Sequence, residues 1–145
     1  MDIISKNKGG IFMTKDDLKK YTETKREIEI IEDKLEYLKE KKTSINSMII
    51  TDMPKGTFSD NDRFGQLLVQ IEELTELYKK KMQNLLNEQI KIENVINELD
   101  DPLQRNIMRL RYLQGLSWEK ICVEINYRWR QTHKYHSEAL KKICD

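Results

Sequence analysis

Two long stretches of the chain repeat apolar residues at every third or fourth position, and this repeat limits the fold more than any other feature. A helix with such a repeat presents one apolar stripe, or seam, which a partner must cover. We predict a first helix from Thr14 to Ile45 and a second from Ser59 to Leu99. The first seam comprises Tyr21, Thr24, Ile28, Ile31, Leu35, Leu38, Lys42 and Ile45, and the second comprises Phe64, Leu67, Ile71, Leu74, Tyr78, Lys81, Leu85, Glu88, Ile92, Val95 and Leu99.

Residues 46–62 interrupt the repeat, and Pro54 and Gly56 mark a loop there. Residues 14–100 are therefore predicted to form a helical hairpin, or coiled-coil arm. The partner of each seam is either the other helix of the same chain or a second copy, and the sequence leaves both open. Three charged residues fall within the seams, where they either mark fraying or fix register and oligomeric state: Lys42, Lys81 and Glu88.

The composition favours an all-α protein, because five glycines and two prolines accompany 35% charged residues. Residues 1–13 carry no periodicity and are predicted to be disordered. The codons of Lys8, Gly9 and Gly10 could spell a bacterial ribosome-binding sequence, so we expect Met13 to be the native start. With no long apolar run and only two cysteines, we expect a cytoplasmic protein without a signal peptide, membrane contact or disulfide framework.

Residues 101–145 carry the start and stop signals of three short helices, and the last two, joined by a tight turn, predict a helix-turn-helix domain. The charge is uneven: nine basic and four acidic residues from Pro102 onward give +5, whereas 17 basic and 21 acidic residues elsewhere give −4. A polyanion would therefore bind to residues 102–145, where the positive charge is concentrated. The signals are Asp101 and Pro102 at the first start, Gln114 and Gly115 at a turn, Ser117 at the second start, Asn126 at its end and Tyr127 at the third start.

The third predicted helix has an apolar side, with Trp129, Thr132, His136, Ala139 and Ile143, and a cationic side. In a helix-turn-helix the start of this helix enters the major groove, where arginine and glutamine match base edges. A basic face that is merely solvated is the alternative. The predicted base-reading residues are Arg128, Trp129, Arg130, Gln131, His133 and Lys134, and the predicted phosphate contacts are Arg109, Arg111, Ser117, Trp118, Lys120 and Lys141.

Both tryptophans have two interpretations. Trp118 either fills the core of the three helices or donates its N–H to a phosphate. Trp129 is either a core residue or an exposed ring against thymine methyls or sugars. Glu138, on the third helix, is the one acidic residue expected to oppose a phosphate there.

The motifs from Leu103 to Tyr112, from Gly115 to Ile121, at Asn126-Tyr127 and from Ala139 to Ile143 resemble region four of bacterial sigma factors. With Met53-Pro54-Lys55-Gly56 upstream, the chain is more similar to phage late-transcription regulators of the ArpU, RinA and LtrC type. The resemblance implies a small helical activator of phage or prophage late genes that binds promoter DNA, with RNA polymerase as a further partner. It departs from the usual pattern at Thr132, where an aliphatic residue is common, and at Arg128 and Trp129, where a hydroxyl cap and a polar residue are common.

We expect no enzymatic activity, cofactor or metal. The order of Cys122, His133, His136 and Cys144 matches no usual zinc spacing, and the chain lacks a glycine-rich phosphate loop and a nucleophile elbow. The most direct interpretation is a double-stranded DNA-binding regulator that forms a homo-oligomer, with a dimer favoured, through the coiled coil. Two other classes stay open: a DNA-packaging recognition subunit like a small terminase, and a sigma mimic or antagonist that binds polymerase but not DNA.

Overall fold

The computed structural model describes residues 13–50 and 58–144, with the side chains of 49–50 and 58–61 excepted. Helices account for nearly all of this described part, which contains no strand, so the predicted all-α fold is confirmed. A π-helical turn, Arg109–Leu113, continues the third helix directly. The helices are α1 Lys15–Ile50, α2 Phe58–Asn97, α3 Pro102–Met108, α4 Trp118–Ile125 and α5 Trp129–Ile143.

The helix α1 begins with a reciprocal cap between Asp17 and Thr14, the residue at which its start is predicted. The backbone N–H of Thr14 donates to Asp17 Oδ2 at 2.8 Å, while the N–H of Asp17 donates to Thr14 Oγ1 at 3.2 Å. Such a capping box satisfies two amides that would otherwise lack a partner. These hydrogen bonds to Thr14, backbone first, hold the pKa of Asp17 below its usual value.

The helix α1 ends later than predicted, because residues 46–50 continue the helix instead of starting a loop. The hydroxyls before this end donate to carbonyls four residues back, Thr43 to Lys39 at 3.0 Å and Ser47 to Thr43 at 3.0 Å. Each hydroxyl thereby shares a carbonyl of the helix and finds a partner without ending it. At the other end of the predicted loop, residues 58–62 already belong to α2. The part between them, residues 51–57 with Pro54 and Gly56, lies outside the described residues, as do residues 1–12.

The described chain forms two compact units. The hairpin unit comprises residues 24–84, and the C-terminal unit comprises 13–23 together with 85–144. In the hairpin unit α1 and α2 run antiparallel, because Tyr78 donates to Glu32 at 2.8 Å and Lys81 pairs with Glu27 one turn further along. Lys81 lies at the edge of the seam, where its ammonium group reaches a carboxylate. The buried seam residues of this unit are Ile28, Ile31, Leu35, Leu38 and Leu67.

The C-terminal unit contains the most deeply buried side chains of the described chain. Met13, at the border of the segment predicted to be disordered, is buried. The guanidinium of Arg105 donates to the carbonyls of Leu99 at 2.6 Å and Asp100 at 3.0 Å. These hydrogen bonds give partners to two backbone carbonyls in the turn that follows α2. The helix α3 packs mainly on α5. Buried apolar residues of this unit are Met13, Leu18, Tyr21, Leu85, Ile92, Val95, Ile96, Leu99, Ile107, Met108, Leu110, Ile121, Ala139 and Leu140.

The predicted start and stop signals around α3 and α4 are confirmed. Asp101 accepts a hydrogen bond from the N–H of Leu103 at 2.8 Å, and Ser117 accepts one from Lys120 at 3.4 Å. Gly115 has φ of +69° and Asn126 has φ of +56°, both in the left-handed region. Glycine and asparagine enter that region at least cost, so the chain turns where these residues stand.

Candidate nucleic-acid interface

The helix α5 starts without any acidic group. It begins at Trp129, two residues later than predicted, because Arg128 has extended backbone and occupies the N-cap position. No side chain caps this end, and its first turn contains no acidic residue. The amides of a helix start carry partial positive charge that attracts anions. The electrostatics at this end of α5 therefore favour a negatively charged partner.

The outward side of α5 is cationic. Arg130, Lys134 and Lys141 recur at intervals of four and seven residues, so they share one side of the helix, and all three are exposed. Arg128 and Gln131 are also exposed at the start of the helix. The structure thus brings five predicted contact residues to one helix, with their side chains in solvent.

Glu138, the expected acidic obstacle, is turned toward the protein. The side chain of Gln104 on α3 donates to Glu138 Oε2 at 3.4 Å and accepts from Lys142 Nζ at 3.2 Å. Gln104 is 2% exposed, so this amide joins one acidic and one basic residue of α5 at the interface between the two helices. The half-buried carboxylate is therefore directed toward α3, although Glu138 itself lies four residues after Lys134 and three before Lys141 on α5.

Thr132 fills a core position in spite of its hydroxyl. It is 0% exposed, and its Oγ1 donates to the carbonyl of Arg128 at 3.1 Å and accepts from the thiol of Cys122 at 3.4 Å. Both hydrogen-bonding functions of the hydroxyl are thereby used inside the core. This pairing explains how threonine replaces the aliphatic residue that is common at this position in the family that the sequence resembles.

Trp129 is exposed, which decides between its two structural interpretations. The residue is 51% exposed, and its ring lies against His133, with ring centroids 4.5 Å apart. His133 also contacts Trp118 at 4.4 Å, and the guanidinium of Arg111 lies 4.7 Å from the centre of the Trp118 ring. Three rings, each tilted by 44° to 48° from the next, and one cation therefore form a continuous series of contacts, which we call the ring column. His133 and Trp118 are half-buried within it.

The arginines predicted to contact phosphates already have partners in the protein. Arg109 donates to Glu93 at 3.2 Å and to Asn97 at 2.6 Å, both on α2, and is half-buried. Arg111 donates to the carbonyl of Leu116 at 3.0 Å in addition to its place over Trp118. Each would have to share or release these contacts to meet a phosphate. Lys120 and Ser117 are exposed at the start of α4, although the Ser117 hydroxyl serves as its cap.

His136 lies beside the ring column. Its Nε2 is 2.7 Å from Tyr112 Oη, and its ring meets Trp118 edge-on at 4.6 Å. Burial first, and then the charges of His133, Arg111 and Lys15, lower the pKa of His136 to about 4. This histidine is therefore neutral at physiological pH. Among residues 13–50 and 58–144, no group of three or more histidine, cysteine or acidic side chains is placed to hold a metal ion.

The sequence pattern missed two polar residues that shape this surface, Gln104 and Tyr112. Gln104 lies next to the apolar positions Leu103 and Ile107, so its place on the buried side of α3 could have been inferred from helical spacing. Tyr112 reaches His136 from the π-helical turn that continues α3, and the sequence carries no signal for this turn.

Comparison of the chain with protein-family models, with curated proteins and with solved structures gives no match. Each helix in the described ranges is too short or too polar to span a bilayer.

Proposed function

We propose that the C-terminal unit is a helix-turn-helix that binds double-stranded DNA and that the chain is a transcriptional regulator, an activator of phage or prophage late genes. In this proposal α5 enters the major groove, and Arg128, Arg130, Gln131 and Lys134 contact base edges. Lys120 and Lys141 contact phosphates, and the protein acts in the cytoplasm of a bacterial host.

One observation carries this proposal: the exposed side of α5 combines cationic and amide side chains with no acidic group between residues 128 and 137. Phosphate charge supplies most of the affinity of such surfaces, and base contacts supply specificity. The hydrogen bond from Gln104 supports the proposal, because it directs the one carboxylate of α5 toward α3 and partly satisfies it there. The resemblance to sigma region four adds the expectation of a promoter as target and of RNA polymerase as a second partner.

We further propose that two copies of the chain pair through the hairpin unit. Ile30 and Tyr37 lie seven residues apart on one side of α1, and their exposed fractions are 67% and 60%. A second copy would cover these apolar side chains. The α5 helices of the two copies would then enter half-sites one turn of DNA apart. Sedimentation equilibrium should give a dimer mass for the wild type and a monomer mass for the double variant Ile30→Glu, Tyr37→Glu.

The DNA-binding proposal is tested by selecting duplexes from a random pool and measuring affinity against salt for the selected and a random duplex. Arg130→Ala should weaken the selected duplex by about 1 to 3 kcal/mol and leave the random duplex nearly unchanged, because it removes a base contact. Lys120→Ala should weaken both duplexes alike and reduce the salt slope by about one, because it removes a phosphate contact.

Lys34→Ala is the matched control, because Lys34 is also an exposed cation but lies on α1 in the hairpin unit. It should leave both affinities unchanged. Equal losses on the two duplexes for Arg130→Ala would contradict direct readout by α5. Binding to RNA polymerase without salt-dependent binding to any duplex would support the sigma mimic or antagonist instead. A closed ring of many copies around DNA would support the packaging subunit.

A further inference from the structure

Trp129 packs on His133, which in turn packs on Trp118, so the ring column joins three different parts of the chain. Trp129 and His133 are four residues apart on α5, Trp118 is the first residue of α4, and Arg111 belongs to the π-helical turn. The indole of Trp129 packs on the His133 ring, with centroids 4.5 Å apart, and His133 is itself supported by Trp118 at 4.4 Å. A rigid aromatic side chain can form a contact with little loss of conformational entropy.

The free side of this indole needs an apolar partner within a charged environment. Half of the Trp129 side chain is in water, and its chain neighbours Arg128 and Arg130 are both exposed cations. These cations favour a polyanion as the partner, and the position at the start of α5 favours the edge of a base pair. The only apolar group that base pairs present in the major groove is the 5-methyl group of thymine.

We propose that Trp129 contacts the 5-methyl group of a thymine in the bound duplex and that His133 is the positioning residue for this contact. The inference rests on the proposed function, and it names the chemical group that the exposed indole recognises. It assigns to His133 a role different from the base contact predicted from the sequence. The Nε2 atom of His133 is buried and has no hydrogen-bond partner among the described residues, so that atom does not face the groove.

The test replaces each thymine of the selected duplex, one at a time, with uracil. Uracil lacks only the methyl group and keeps every hydrogen-bonding atom of thymine, so a loss of affinity reports on an apolar contact alone. For the wild-type protein we expect a Kd about three- to fivefold higher with uracil at one or two positions, since a buried methyl contributes about that much. Every other position should give a ratio near one.

Three variants assign this methyl effect to residues. In Trp129→Ala the uracil-to-thymine ratio of Kd should fall to about one at the sensitive positions, because the indole surface is gone. In His133→Phe the ratio should persist, because phenylalanine keeps a ring between the two tryptophans, whereas His133→Ala should reduce it. Arg130→Ala should lower affinity yet keep the ratio. Far-UV circular dichroism verifies that each variant keeps its helices.

Several results would overturn the inference while the proposed function stands. They are sequence-specific binding with a ratio of one at every thymine, a selected site without thymine, or a ratio that Trp129→Ala leaves unchanged. Loss of the ratio in His133→Phe would show that a ring nitrogen of His133, and not the packing of its ring, positions the indole, which would overturn the role assigned to that packing. Absence of any salt-dependent duplex binding would instead refute the proposed function itself.

Discussion

The hairpin unit and the helices α3 to α5 obtain their cores in different ways. In the hairpin unit several α2 seam residues, Phe64, Ile71 and Leu74 among them, are only half-buried. In the helices α3 to α5, Ile107 and Ile121 are both 0% exposed. A repeating seam spreads stability over many similar positions, whereas a small three-helix core concentrates it in a few. The second kind of core therefore depends far more on each residue.

The largest predicted effect is a difference in stability loss between alanine variants of two isoleucines, one in each core. Ile121→Ala should destabilise the C-terminal unit by about 2 to 5 kcal/mol, because it leaves a cavity in a filled core. Ile71→Ala should cost the hairpin unit only about 1 to 2 kcal/mol, because its site is half-open to solvent. Tryptophan fluorescence during urea unfolding reports on the first change, since both tryptophans lie on α4 and α5. Equal losses for the two variants would contradict the comparison.

Because His136 is neutral in the folded protein, the free energy of unfolding of the C-terminal unit should depend on pH. This effect is the second largest of the three that we predict. The folded pKa is about 4 and the ordinary value is 6.5, so between these values the unfolded chain binds a proton that the folded chain does not. Stability is therefore fully present above pH 6.5 and falls as the pH is lowered toward about 4. Because solvent screens a half-buried ring, we expect a loss of about 1 to 2 kcal/mol.

The measurement is the urea midpoint at about pH 7.5 and about pH 4.5, with His136→Phe as the comparison. Phenylalanine keeps the ring beside Trp118 and Tyr112 but cannot titrate. The wild type should lose more stability on acidification than this variant does. Parallel losses in both would show that carboxylates, and not His136, cause the acid sensitivity.

The smallest of the three effects concerns the turn between α4 and α5. Asn126→Ala should destabilise the C-terminal unit by about 1 kcal/mol, because alanine enters the left-handed region at a cost. Asn126→Gly should be neutral or slightly stabilising, because glycine enters it freely. Asn106→Ala, on the exposed side of α3, is the matched control and should not destabilise. The turn would be unimportant if Asn126→Ala and Asn126→Gly gave the same unfolding midpoint.

The sequence predicts those structural features that depend only on residues close together in the chain. Asp101, Ser117 and Asn126 act on backbone groups within a few residues of themselves, so their roles follow from residue type and position alone. The seams of α1 and α2 also follow from spacing. The exposed cations of α5 could be placed because they share one side of a helix whose other side is apolar.

The features that the sequence did not predict depend on residues distant in the chain. Arg109 meets Glu93 across 16 positions, and Gln104 meets Glu138 across 34. No spacing rule connects such pairs, and the half-buried place of His133 depends in the same way on Trp118. The late end of α1 has a different origin, since hydroxyl side chains that usually favour loops here donate to the helix itself.

The π-helical turn at Arg109–Leu113 has a consequence for how one short segment joins two neighbours. Its hydrogen bond from the N–H of Gln114 to the carbonyl of Arg109 spans five residues and widens the turn. In an ordinary helix, side chains three positions apart point nearly the same way. The wider turn lets Arg109 reach toward α2 while Tyr112 reaches toward α5. The extra residue of the π-helical turn thus lets one short segment contact both α2 and α5. Deleting one residue of this turn should break either the contact of Arg109 with α2 or the contact of Tyr112 with α5.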